Sequence, residues 1–218
     1  MNLSVIFDMD GVLIDSEPLW WRAGVEALRT VGVFLSDEYS HETKGMRTDE
    51  ALQHWFRRFP WSGRTIDDLT KDVDRLFMTI VEQTPKPLPG VLELLELLLS
   101  HNIQLAVCSS APHELIEVTL LSLGIRHSMS HIVSAHDEVL GKPHPAAYLR
   151  CASLLSRDPR DCIAIEDSVY GAISAKAAQM KVVAVQNNQH STPGVFDFCN
   201  AHLSSLEEFD QTLLYRLI

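Results

Sequence analysis

Apolar and polar positions change rhythm twice along this chain. It starts with a short unbroken apolar run, Leu3 to Phe7, in which Val5 and Ile6 are β-branched, and the run stops at the acidic turn Asp8-Met9-Asp10-Gly11. That is the pattern of a parallel strand buried on both faces. From Glu17 to Val31 apolar residues recur at helical spacing, so that Trp20, Ala23, Ala27, Leu28 and Val31 share a face, and the helix should end near Gly32. Two more helical stretches, Thr48 to Phe59 and Thr65 to Glu82, flank the breaker Pro60-Trp61-Ser62-Gly63. Nothing in this region reads as a strand.

After a connector stiffened by Pro85, Pro87 and Pro89, Val91 to Ser100 reads as a leucine-rich helix. Strands and helices then alternate. Leu105 to Cys108, Ile132 to Ser134, Cys162 to Ile165 and Val182 to Val185 read as strands, and Pro112 to Leu123, Ala146 to Leu155 and Val169 to Ala178 as helices. Gln186 to Cys199 reads as loop and Leu206 to Leu217 as a closing helix. Such alternation predicts an α/β fold with a parallel sheet covered by helices on both faces. Its core is expected to be residues 1–15 and 88–218, with 16–87 as a helical insert beside the acidic turn, placed to cover it as a cap.

The 218 residues suffice for such a core and insert, and 46% hydrophobic with 22% charged residues fits a globular chain. The longest apolar stretch, Val91 to Leu99, is broken by Glu93 and Glu96, and the first residues lack a basic leader pattern. A cytoplasmic protein without membrane contact is therefore expected; a monomer is expected as well, though these patterns do not carry it. A formal net charge of -11, with no basic cluster beyond Arg57-Arg58, argues against nucleic acid as a partner. It also means that an anionic substrate needs local cations. The four cysteines form no Cys-x-x-Cys pair and read as free thiols, and the ten histidines lack zinc-ligand spacing.

Four apolar runs end in polar groups. Asp8 and Asp10 follow the first, Ser109 and Ser110 the second, Lys142 the third, and Glu166 and Asp167 the fourth. Each has a plain alternative: Ser109 and Glu166-Asp167 as helix caps, and Lys142 as a solvated charge. Parallel strands, however, bring these ends to one edge of the sheet, where ligands bind. The set suits phosphoryl transfer. Asp8, Asp10 and Asp167 suit a hard cation of the Mg²⁺ type. A carboxylate approaching a phosphate dianion meets repulsion of about 4 kcal/mol per charge pair at roughly 4 Å and an effective dielectric near 20. A cation and Lys142 offset it, while Ser109 and the Ser110 N–H are placed to donate to phosphoryl oxygens.

Asp8-x-Asp10-Gly11, Ser109, Gly141-Lys142-Pro143 and Glu166-Asp167-Ser168 resemble, in order and strand context, the four motifs of the haloacid dehalogenase superfamily. The resemblance implies a Rossmann-like core with an inserted helical cap. It further implies Asp8 as a nucleophile that forms an aspartyl-phosphate, and Asp10 as the acid and then the base. Mg²⁺ would be held by Asp8, Asp167 and the Asp10 main-chain carbonyl, with Glu166 behind them, and phosphate by Ser109 and Lys142. An acid at Asp10 speaks against dehalogenation, because halide leaves without a proton.

Within the superfamily, Ser16 to Trp20, Gly45-Met46-Arg47 and Pro60 to Gly63 are similar to bacterial hexitol and 2-deoxyglucose-6-phosphate phosphatases, in the β-phosphoglucomutase-like group. The mutases carry a His where this chain has Trp20, and an Arg one position later than Arg47. A hexose or hexitol phosphate is thus the expected substrate, with Trp20, Lys44 and Arg47 as candidate cap contacts. Mutase chemistry and a phosphoglycolate or nucleotide phosphatase stay open. A phosphoacceptor module of the receiver type has no helical insert after its first strand and takes phosphate on a later one.

Overall fold

The computed structural model describes residues 2–43, 46–83, 85–186 and 194–218. In chain order, β1 (Ser4–Phe7) is followed by α1 (Glu17–Arg29), α2 (Thr48–Arg58) and α3 (Ile66–Gln83). Then come α4 (Val91–Ser100), β2 (Gln104–Ser109), α5 (His113–Ser122), β3 (His131–Ser134), α6 (Ala146–Leu154) and β4 (Cys162–Glu166). The chain closes with α7 (Val169–Ala177), β5 (Lys181–Val185), β6 (Ala201–Leu203) and α8 (Gln211–Leu217). These elements divide into two compact units, Met1–Asp15 with Lys86–Ile218, and Ser16–Pro85.

The first unit is a six-stranded parallel sheet of order β3-β2-β1-β4-β5-β6, a Rossmann-like arrangement. β1 is central, and all four of its residues are buried, which explains an apolar run without alternation. Phe7 pairs with Val107 on one side and Ile165 on the other, so β1, β2 and β4 end level with one another. Ile6, Ala106 and Ala164 stack from neighbouring strands into a core completed by Tyr148, Cys151 and Ala152 of α6 and Ala172 and Ala175 of α7. The small residues of α7 let it lie close on the sheet.

The second unit is helical. α1 buries Ala23, Ala27 and Leu28, and α3 buries Leu69, Val73, Phe77, Ile80 and Val81 on one stripe. Thr65 and Asp68 cap α3 reciprocally: Asp68 Oδ2 accepts from the Thr65 N–H at 3.0 Å, and Thr65 Oγ accepts from the Asp68 N–H at 3.1 Å.

Three expectations shift. The first helix ends at Arg29 rather than Val31, because the chain reverses through Gly32 at φ +79°, where the Val33 N–H returns to the Leu28 carbonyl. The closing helix begins only at Gln211: Leu206–Glu208 is a single 3-10 turn, and Asp210 caps the helix proper through the Leu213 N–H at 2.8 Å. β6 is an additional edge strand of three residues, too short to show a period, set in register by Asn200, whose Oδ1 accepts from the Val182 N–H at 2.9 Å.

Candidate functional site

Asp8 follows β1 directly, and its N–H still reaches the Ile165 carbonyl of β4 at 2.9 Å, so its backbone is fixed by the sheet. Ser109 closes β2 and Glu166 closes β4, on either side of it. The turn after Asp8 is tight. The Met9 carbonyl accepts from Leu13 at 2.9 Å and the Gly11 N–H donates to Ile14 at 2.9 Å. Gly11 has φ +72°, and a Cβ there would lie 2.0 Å from Asp167 Oδ2. Glycine is needed twice over, for the left-handed backbone and for the carboxylate beside it.

Lys142 reaches in from the loop after β3. Its Nζ lies 2.9 Å from Asp8 Oδ1, 2.7 Å from Glu166 Oε1 and 2.8 Å from the Cys108 carbonyl, so all three ammonium donors have acceptors. The three charged side chains are 5% (Lys142), 9% (Asp8) and 0% (Glu166) exposed, which makes this a buried ion cluster rather than a surface pair. Glu166 is further held by the Tyr148 hydroxyl, which donates to Oε1 at 2.6 Å, and by Ser168, which donates to Oε2 at 3.2 Å. Ser109 Oγ donates to Asp10 Oδ2 at 3.2 Å and accepts the Ala111 N–H at 3.1 Å. Ser110 is exposed beside it.

Burial, then repulsion from Glu166, Asp167 and Asp10, pushes the Asp8 carboxyl well above the usual carboxylate range, with Lys142 alone among the named neighbours opposing. Burial works against the charge on Lys142, but Asp8 and Glu166 outweigh it and raise its pKa, so the ammonium persists. One ammonium among four carboxylates leaves excess negative charge. A divalent cation suits that excess: carboxylate oxygens of Asp8, Glu166 and Asp167 lie within 4.8 Å of one another. Both oxygens of Glu166 already accept protein donors.

The structure thus brings together Asp8, Asp10, Ser109, Lys142, Glu166 and Asp167. Trp20 and Arg47 belong to the helical unit. The Trp20 ring stacks on Phe77 with centroids 3.8 Å apart and planes 16° from parallel, and exposed Arg47 pairs with Asp49 at 3.1 Å. Lys44 lies outside the described residues. Sequence reasoning missed Tyr148 and Gly171 as parts of the cluster, and gave Ser168 no role beyond its place in the fourth motif. A buried tyrosine hydroxyl must find a partner, and Tyr148, on the apolar face of the helix that starts four residues after Lys142, carried that signal.

The haloacid dehalogenase-like hydrolase family matches residues 5–185. Hexitol phosphatase B of Escherichia coli O157:H7 is 38% identical over 207 residues, 94% of this chain and 93% of that protein. Validoxylamine A 7'-phosphate phosphatase of Streptomyces hygroscopicus subsp. limoneus is 30% identical over 173 residues, 79% of this chain and 80% of that protein. Among solved structures, a β-phosphoglucomutase from Clostridium difficile has a TM-score of 0.82 at 23% identity, covering 100% of this chain and 97% of its own, a likeness of fold.

Proposed function

This chain belongs to the haloacid dehalogenase-like hydrolase family, and we propose that it is a cytoplasmic, monomeric phosphatase of hexitol or other sugar phosphate monoesters that works through an aspartyl-phosphate. One observation carries the chemistry: the Lys142 ammonium holds Asp8 Oδ1 at 2.9 Å at the level end of three adjacent strands, with the Asp10–Ser109 pair beside it. The substrate class rests on what the relatives' names say of them, together with the acidity of the chain, which disfavours nucleic acid.

In this reading the Asp8 carboxylate attacks phosphorus and the ester oxygen leaves with a proton from Asp10. Asp10, now a carboxylate, takes a proton from water, which attacks the aspartyl-phosphate, releases phosphate and restores Asp8. Ser109 holds the Asp10 carboxyl in place until the phosphoryl group arrives, when its single hydroxyl proton turns to a phosphoryl oxygen beside the Lys142 ammonium and the Ser110 N–H. Mg²⁺, held by Asp8, Asp167 and the Asp10 main-chain carbonyl, supplies neutralisation of phosphoryl charge when bound. Trp20, Lys44 and Arg47 of the helical unit, residues 16–87 by this reading, choose the sugar, with Trp20 oriented by its stack on Phe77.

Phosphate release across hexitol phosphates, hexose phosphates, phosphoglycolate and nucleotides, with Mg²⁺ and with chelator, tests the proposal. Metal-dependent release with preference for hexitol or hexose phosphates is expected. Preference for nucleotides, or conversion of glucose 1-phosphate to its 6-isomer, would overturn the substrate class or the reaction.

A further inference from the structure

All three donors of Lys142 are engaged, so a phosphoryl oxygen gains one only when an acceptor is released. The Cys108 carbonyl is backbone of β2, and Asp8 must stay at the reacting phosphorus. Glu166 differs from both. It is buried completely, yet it has two further donors, Tyr148 on the same Oε1 and Ser168 on Oε2.

We propose that Tyr148 is a positioning residue: its hydroxyl keeps Glu166 satisfied while Lys142 turns from Glu166 to the incoming phosphoryl group. The inference rests on the phosphoryl-site reading given above. A buried carboxylate stripped of its donors is costly, so without the hydroxyl Glu166 would hold the ammonium back. Two features fit Tyr148 for the task. Its side chain is 0% exposed in the core cluster, so the hydroxyl cannot swing away, and its ring lies 5.1 Å from the Lys142 ammonium, a favourable face along which the charge can turn. Phenylalanine would fill the same volume, so only the hydroxyl distinguishes positioning from packing.

The test is calorimetric titration of inorganic phosphate, with Mg²⁺ present, into four proteins: the unchanged chain, Tyr148→Phe, Glu166→Gln and the double variant. Tyr148→Phe should raise Kd roughly tenfold in the unchanged background. In the Glu166→Gln background, where no buried charge is stranded, it should change Kd by less than about twofold. Equal weakening in both backgrounds, or none in the first, overturns the inference and leaves the phosphoryl site standing. An unchanged chain that binds no phosphate overturns the site reading and the inference together. Should Tyr148→Phe fail to melt cooperatively, Tyr148→Met, which also lacks the hydroxyl and fills a core space flexibly, takes its place with the same expected outcomes.

Discussion

Gly171 offers a test whose sign is decided by the position of Glu166. Gly171 is the third residue of α7, and replacing glycine by alanine within a helix ordinarily stabilises it by up to about 0.8–1 kcal/mol. Here the new Cβ would lie 2.0 Å from Glu166 Oε1 and 2.1 Å from its Cδ and Oε2. An ordinary contact is roughly 3.5 Å, so the carboxylate must retreat by about 1.5 Å. Its bonds to Lys142 and Tyr148 are 2.7 and 2.6 Å long and cannot both survive that movement. Losing one bond to a charged group costs about 1.5–3 kcal/mol, which outweighs the helix gain and leaves Gly171→Ala destabilised by roughly 1–2 kcal/mol. Gly24, inside α1 with nothing within 4 Å of its Cβ position, is the control and should be stabilised by about 0.5–1 kcal/mol on conversion to alanine. At roughly 2–4 °C per kcal/mol for a chain of this size, calorimetric melting should move the two midpoints in opposite directions. A midpoint that rises in Gly171→Ala as it does in Gly24→Ala would refute the packing of α7 against Glu166.

Because the Asp8 carboxyl is pushed above its unfolded value of about 3.9, the folded chain binds more protons than the unfolded one between the two values, and stability falls as pH rises through that window. Metal-free protein should therefore lose stability relative to Asp8→Asn from about pH 4 toward neutrality, and Mg²⁺ binding should release protons, read by calorimetry in buffers of different ionisation enthalpy; parallel pH profiles and no proton release would contradict this. Ser109→Ala removes the donor to Asp10 and the acceptor of the Ala111 N–H, and should cost about 1 kcal/mol in chemical denaturation as well as slowing phosphate release. Thiol labelling of the native protein should begin at Cys199, half-buried with its pKa pushed up to about 11 by burial, and reach the buried Cys108, Cys151 and Cys162 only on unfolding.

Much of the core was legible because parallel strands buried on both faces write themselves as unbroken apolar runs, and because Asp8, Ser109 and Glu166 stand at the points where those runs stop. Knowing that parallel strands end on one edge then sufficed to group residues as distant as Asp8 and Lys142. What escaped was what packing alone decides. Tyr148 and Gly171 read as ordinary helix residues, since their significance lies in Glu166 of another element: the Tyr148 hydroxyl bonds it at 2.6 Å, and a Cβ at Gly171 would fall 2.0 Å from its carboxylate. β6 escaped for a different reason: three residues carry no period, and its place is set by pairing with β5.

Attack of Asp8 on the phosphorus of a sugar phosphate ester stands or falls on one comparison. Phosphate release from a hexitol phosphate, measured side by side for the unchanged chain and Asp8→Asn in Mg²⁺, tests it most directly. Turnover by the unchanged chain and none by Asp8→Asn is expected, with both proteins melting cooperatively. Comparable release by the two would contradict it.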